Sequence, residues 1–135
     1  MKLTIRSIVL TIALTACALV AAKKLQLTAA SIVPAARGEI EVGKDHNGNT
    51  EIKMSVEHLA RPDNLSPPMA AYVVWMQEQG SSAENQGQLE VNKKLEASFR
   101  TVTPLKSFDL FVTAESAATA KSPGGPEVLR ANIHQ

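Results

Sequence analysis

Few residues of this chain could act as a nucleophile, a general base or a metal ligand. There is one cysteine, Cys17, and there are three histidines, His46, His58 and His134. His46 lies among turn-forming residues, and His134 is next to the last residue. The sequence has no Gly-x-Ser-x-Gly elbow, and Cys17 lies in an apolar N-terminal run, so no nucleophile has a base beside it. We therefore predict that the protein is not an enzyme.

Metal binding is the alternative chemistry. Met54, Met69, Met76 and the histidines are soft ligands that could hold copper. A blue-copper site also needs a cysteine inside the domain, and Met54 alternates with apolar residues as a core side chain does. Residues 45–49 alternate acidic and amide side chains around a glycine, but a calcium loop of the EF-hand type needs a glutamate where Met54 stands. We predict no metal site and no cofactor, and the alternative function is a periplasmic copper-binding protein that uses Met and His.

The surroundings of Cys17 are those of an export signal. Lys2 and Arg6 precede an apolar run over residues 8–22, which is shorter than the ~20 residues of a membrane-spanning helix. Inside it, Leu14-Thr15-Ala16-Cys17 resembles a bacterial lipobox. The resemblance implies cleavage before Cys17, lipidation of its thiol and attachment to the membrane through the lipid. Cleavage near Ala22 and an uncleaved anchor stay open as alternatives.

The length and charge of the chain indicate one small domain after this signal. The formal net charge is +1 and only 4% of the residues are aromatic. Because no basic excess is present, we expect no nucleic-acid partner. The predicted organisation is a signal peptide with its helix at residues 1–22, a tether at 23–36 and a β domain at 37–135.

Hydrophobic alternation in the second half of the chain has the period of β-strands. Glu39 to Val42 and Glu51 to Glu57 alternate polar and apolar residues around a turn that contains Asn-Gly, so we predict a hairpin. Further strands are predicted at residues 70–76, 88–91, 95–101, 107–113 and 127–133, with loops at 61–68, 79–86 and 114–125. About seven short strands without a long amphipathic helix indicate an all-β fold, a single immunoglobulin-like antiparallel β-sandwich.

Two short blocks carry a resemblance to a known family. They are Tyr72-Val73-Val74-Trp75, and the segment from Phe108 to Glu115 followed by the stretch Pro-Gly-Gly-Pro-Glu-Val-Leu at 123–129. Together they resemble the extracytoplasmic domain of the anti-sigma-K factor (RskA-like) family over residues 70–129. The resemblance implies a sandwich fold and a sensing or interaction role. Seven residues precede the apolar run, so we expect no sigma-factor-binding domain.

Candidate partner-binding residues come from the same two blocks, and they are Tyr72, Trp75 and Glu115. Because successive side chains of a strand alternate, Tyr72 and Trp75 are expected on opposite faces, with Trp75 in the core and Tyr72 half exposed. The loop after Glu115 is a further candidate for recognition. The predicted function is an exported, lipid-anchored envelope protein, membrane-bound or periplasmic, whose domain binds or senses an envelope protein partner.

Overall fold

The computed structural model describes residues 22–135, so the export signal and Cys17 lie outside the described residues. The described chain folds into eight strands and one short 3-10 helix at Pro62–Asn64. The strands are β1 (Lys23–Ala29), β2 (Arg37–Lys44), β3 (Thr50–Glu57), β4 (Ala71–Gln77), β5 (Glu84–Leu89), β6 (Ala97–Thr103), β7 (Ser107–Glu115) and β8 (Glu127–His134). Between residues 22 and 135, no helix has the length and apolar character needed to cross a membrane.

The strands form one antiparallel sheet in the order β5-β4-β7-β8-β1-β2-β3-β6, nearly closed into a barrel. The all-β prediction is confirmed. The halves β2-β3-β6 and β5-β4-β7-β8 have the strand order of immunoglobulin-like sandwiches, and the chain crosses between them after β3, β5 and β6. The fold differs from the predicted sandwich of two separate sheets, because β1 pairs with both halves and joins them into a single sheet.

Strand β1 corrects the predicted tether at residues 23–36. Lys23 to Leu27 pair with β2, whereas Thr28 and Ala29 pair with β8. Leu27 is buried in the core and Leu25 packs against it. The stretch was interpreted as a tether because its alternation is weak, yet pairing on both sides satisfies its backbone groups. The stretch from Lys23 onward therefore belongs to the β domain, and the described residues form eight strands where about seven were predicted.

The predicted hairpin is confirmed as β2 and β3, which pair from Arg37 with Glu57 to Lys44 with Thr50. Its turn is closed by Asp45, whose Oδ1 accepts the backbone N–H groups of Asn47 and Asn49, both at 2.9 Å. These bonds, with the one from Asn49 first, lower the pKa of Asp45 below its usual value. Gly48 has a φ of 79°, which glycine adopts without steric cost.

Strand β4 is central and is apolar on both faces, as predicted. Its residues from Ala71 to Met76 are all buried. The core between the two halves takes its largest fully buried side chains from β2, β3, β4, β5, β7 and β8 and from one connecting segment; these side chains include Tyr72, Ile40, Ile52, Met54, Leu59, Leu89, Leu110, Leu129 and Ile133.

Strand β5 lies partly in a segment that was predicted to be a loop. The prediction placed a strand at residues 88–91, whereas β5 spans Glu84–Leu89. Only Leu89 of this strand is fully buried, so no alternation marks it in the sequence. It is a strand because it pairs with β4 along the edge of the sheet. Strand β6 begins at Ala97, two residues later than predicted, and β7 runs on to Glu115.

The antiparallel order places the connecting segments at two opposite ends of the domain. The proximal end, where β1 begins, carries the turns at residues 45–49, 78–83 and 104–106 and the end of β8. The distal end carries the segments 30–36, 58–70, 90–96 and 116–126. Each of these four distal segments is longer than any of the proximal turns.

Candidate functional site

A second, smaller apolar cluster lies on the outer face of the sheet. Val73 and Trp75 of β4 and Phe111 of β7 form it, separate from the main core. Because β4 is apolar at every position, its outward residues need a cover, and Ala83 and Ala120 pack over them. Trp75 is fully buried at this place. The expectation that Trp75 is buried is correct, but Trp75 lies in the outer cluster and not in the main core.

A chain of side-chain hydrogen bonds starts at this tryptophan. Trp75 Nε1–H donates to Thr113 Oγ1 at 2.7 Å, and the Thr113 hydroxyl donates to Glu115 Oε2 at 2.6 Å. Thr113 and Glu115 are two residues apart on β7, so their side chains share the outer face. Both are buried, at 2% and 4% exposure. Within residues 22–135, each buried side-chain nitrogen or oxygen atom thus has a hydrogen-bond partner, as burial demands.

The Glu115 carboxylate also holds the segment that follows it. Its Oε1 accepts the Gly124 N–H at 3.0 Å, and its Oε2 accepts the Gly125 N–H at 2.9 Å. At Gly125 a Cβ atom would lie 1.6 Å from the Ala114 carbonyl oxygen, so no other residue fits there. Charge-assisted bonds from backbone N–H groups are among the stronger hydrogen bonds in proteins.

Residues 116–126, which we call the β7–β8 loop, are held at a second point by Asn85. Asn85 Nδ2 donates to the carbonyl oxygens of Ala118 and Ala120, at 3.0 and 2.8 Å. Its Oδ1 accepts the Gly87 N–H at 2.8 Å. Asn85 is not among the predicted site residues, because it lies in a segment whose polar composition predicts a loop. The Asn-x-Gly spacing was the only local signal.

Tyr72 projects to the opposite face of β4, into the main core. It is fully buried, and its hydroxyl donates to the Ala60 carbonyl oxygen at 2.6 Å. Burial raises the pKa of Tyr72 to about 12. The opposite-face prediction for Tyr72 and Trp75 is confirmed, whereas the half-exposed position of Tyr72 is wrong.

The three candidate partner-binding residues are therefore internal. Tyr72, Trp75 and Glu115 lie below the surface, so no partner contacts their side chains in this conformation. Their placement corrects the expectation of an exposed binding patch. The physical reason is that β4 is covered on both faces and that Glu115 is enclosed by the β7–β8 loop, whose N–H groups it binds.

An arginine flanks the outer cluster. The Arg130 guanidinium lies 4.5 Å from the centre of the Phe111 ring, at the distance of a cation–π contact. It also forms ion pairs with Glu127 at 2.6 Å and Asp109 at 3.1 Å. The hydrogen bond to Glu127 is the main cause that raises the pKa of Arg130. These contacts fix the edge of the cluster beside β8.

The candidate metal ligands of the described part of the chain lie in two different environments. Met54 and Met76 are buried in the core, whereas His46, His58 and His134 are exposed. Within residues 22–135, no group of three or more His, Cys, Asp or Glu side chains is placed to hold a metal ion. Cys17, the predicted lipidation site, falls outside this range.

No family model matches the chain, and no curated protein matches it. The resemblance to the anti-sigma-K factor domain stays a prediction. Its residues do share one environment, however, because Trp75, Thr113, Glu115, Gly124 and Gly125 are joined by hydrogen bonds. These hydrogen bonds hold the β7–β8 loop against the outer face of the sheet.

Proposed function

We propose that the protein is an exported envelope protein, lipid-anchored through Cys17, whose RskA-like β domain binds or senses a partner protein. The observation that supports this most is the position of β1. It begins at Lys23 on the proximal end, whereas the distal end carries the segments 30–36, 58–70, 90–96 and 116–126. An anchor that precedes β1 holds these segments away from the membrane.

The length of chain before β1 sets how close the domain would lie to the membrane. Lys23 follows Cys17 by six residues, and an extended chain spans at most about 20 Å over that separation. A lipid on Cys17 would therefore keep the proximal end within reach of the lipid headgroups. Two or more acyl chains give stable attachment.

The distal end carries exposed apolar side chains that a binding surface would use. Ile32 is 43% exposed and Leu95 is 38% exposed, and both lie in distal segments. Leu95 and His58 have positive φ angles of 61° and 55°, which residues other than glycine seldom adopt. Loops on a rigid β scaffold are the usual place for recognition.

Lipidation is tested first, with the full-length protein expressed in a bacterium and its mature N-terminus read by mass spectrometry. We expect a peptide that begins at Cys17 and carries acyl chains, and a Cys17→Ser variant that lacks them and leaves the membrane fraction. A mature N-terminus near Lys23 without lipid would contradict the anchor.

Orientation is tested with a dye on single cysteines at the two ends, Lys106→Cys on the proximal side and Lys94→Cys on the distal side. In the membrane-anchored protein, headgroup-labelled quencher lipids should quench the dye at position 106 more than at 94. Equal quenching at the two positions would contradict the proposed orientation.

Partner binding is tested with a photo-crosslinking residue at Leu95, and with the same residue at Val102 as the matched control. Val102 is 48% exposed but lies on β6, outside the distal segments. The proposal expects one envelope protein crosslinked from position 95 and not from 102. Identical crosslinking from both positions, or none from either, would count against a distal binding surface.

A further inference from the structure

We propose that the β7–β8 loop is a lid, fastened by Glu115 and Asn85, that opens as a unit while the rest of the fold stays intact. Opening would uncover Val73, Trp75 and Phe111 as an aromatic surface on the outer face of β4 and β7. This inference concerns the outer cluster alone and does not depend on the lipid anchor.

The lid makes little apolar contact with what it covers. Of the partly buried apolar residues of the β7–β8 loop, only Ala120 packs against the outer cluster. Ala117, Thr119 and the residues 121–124 are exposed. Since apolar burial scales with the area removed from water, one alanine holds the loop far more weakly than the core holds its strands.

Hydrogen bonds from the loop backbone to two side chains therefore contribute most of what holds the loop in place. Glu115 binds the N–H groups of Gly124 and Gly125, and Asn85 binds two carbonyl oxygens of the loop. The base of the loop is closed independently, because Ala114 N–H donates to the Pro126 carbonyl at 2.9 Å. The two strands thus stay paired when the bonds within the loop break. Segments with few buried apolar contacts are those that open locally below the global free energy of unfolding.

The surface under the lid differs from the remaining outer face. On β1, β2, β3 and β6 the outward side chains are mostly polar or charged, whereas Val73, Trp75 and Phe111 are apolar. Trp75 is also bonded to Thr113, which bonds Glu115, so the aromatic cluster and the fastening carboxylate are coupled directly. The exposed cluster would accept an apolar side chain of a partner in place of Ala120.

Trp75 is the only tryptophan of the chain, so the intrinsic tryptophan fluorescence comes from the outer cluster that the lid covers. The experiment measures acrylamide quenching of the full-length protein and of Glu115→Gln. The matched control is Glu127→Gln, an exposed glutamate at the other end of the loop that pairs with Arg130 and makes no bond to the lid. Circular dichroism and amide exchange of β3 and β6 establish that the fold is retained.

We expect Trp75 to be shielded in the wild type and in Glu127→Gln, and quenched several-fold more strongly in Glu115→Gln. Loss of the charge-assisted bonds should raise the open population by about tenfold or more. Amide exchange of β3 and β6 should not change. If Glu115→Gln fails to fold, Asn85→Ala removes the other attachment and should increase quenching in the same way.

Two results would overturn the lid. One is Trp75 quenching that is unchanged in a folded Glu115→Gln or Asn85→Ala variant. The other is exposure of Trp75 only together with exchange of the β3 and β6 amides, which would show that the loop opens only when the whole domain unfolds.

Discussion

Alkaline pH provides a direct test of the packing around Tyr72, the only tyrosine of the chain. Its hydroxyl is buried and donates to Ala60, so ionisation would place an unsolvated phenolate in the core. Burial raises its pKa from 10.0 to about 12. The folded-state pKa lies above the unfolded one, so this stabilising contribution is complete below pH 10. It is lost as the pH rises towards 12, because the unfolded state releases its proton first.

The magnitude follows from the pKa difference. Two pKa units correspond to about 2 to 3 kcal/mol of the free energy of unfolding. That is a large share of the 5–15 kcal/mol typical of a small domain.

The assay is the phenolate absorbance against pH, with urea unfolding measured at each pH. The matched control is Tyr72→Phe, which keeps the ring and removes the titrating group. The two proteins differ only in this hydroxyl, so the difference between the two curves belongs to Tyr72. We expect the wild type to lose about 2 kcal/mol more than the variant between pH 10 and 12, which is most of the full effect. At neutral pH the variant should be less stable by about 1 kcal/mol, from the lost hydrogen bond.

The reasoning is refuted if the phenol titrates near pH 10 while the protein is still folded. It is also refuted if the stabilities of the wild type and Tyr72→Phe fall in parallel from pH 10 to 12. Either result would mean that water reaches the hydroxyl in the native state.

Three further predictions concern the network and the hairpin. Thr113→Val leaves the Trp75 N–H without an acceptor and should lower the free energy of unfolding by about 1–3 kcal/mol in urea titrations. Gly125→Ala forces a Cβ atom onto a carbonyl oxygen and should lower the thermal midpoint clearly, whereas Gly43→Ala, with open space around it, should change it little. Asp45→Ala should lower the thermal midpoint, and it should reduce the loss of stability below pH 4, because the pKa of this carboxylate is lowered in the fold. Equal thermal midpoints for Gly125→Ala and Gly43→Ala would contradict the steric explanation. A loss of stability below pH 4 that is the same in Asp45→Ala as in the wild type would contradict the role of this carboxylate.

A strand could be predicted from the sequence only where its own residues alternate between polar and apolar or form an unbroken apolar run. The β2–β3 hairpin has strict alternation and an Asn-Gly turn, and β4 has an unbroken apolar run, so both were predicted with nearly the right bounds. Strands β1 and β5 have little or no alternation, and they are strands because neighbours pair with them. Local propensity cannot report a pairing that forms only in the assembled sheet.

The candidate site was predicted less well than the fold. Tyr72, Trp75 and Glu115 were the predicted binding residues, and all three are structurally important, but as internal residues. Alternation along β4 predicted which face each side chain takes. Alternation could not predict that the β7–β8 loop covers the outer face of β4. That contact joins Asn85 to Ala118 and Ala120, which are distant from it in the chain.

By itself, the sequence determined the all-β class, the central hairpin, the apolar strand β4 and the turn chemistry at Asp45 and Gly48. These follow from side-chain periodicity and from backbone preferences that act over a few residues. The tertiary structure decided the rest. It placed β1 between the two halves of the sheet and buried Trp75 beneath the β7–β8 loop. It also placed Glu115, a predicted partner contact, inside the fold, where its carboxylate binds the N–H groups of the β7–β8 loop. A carboxylate removed from water must find its hydrogen-bond donors within the fold.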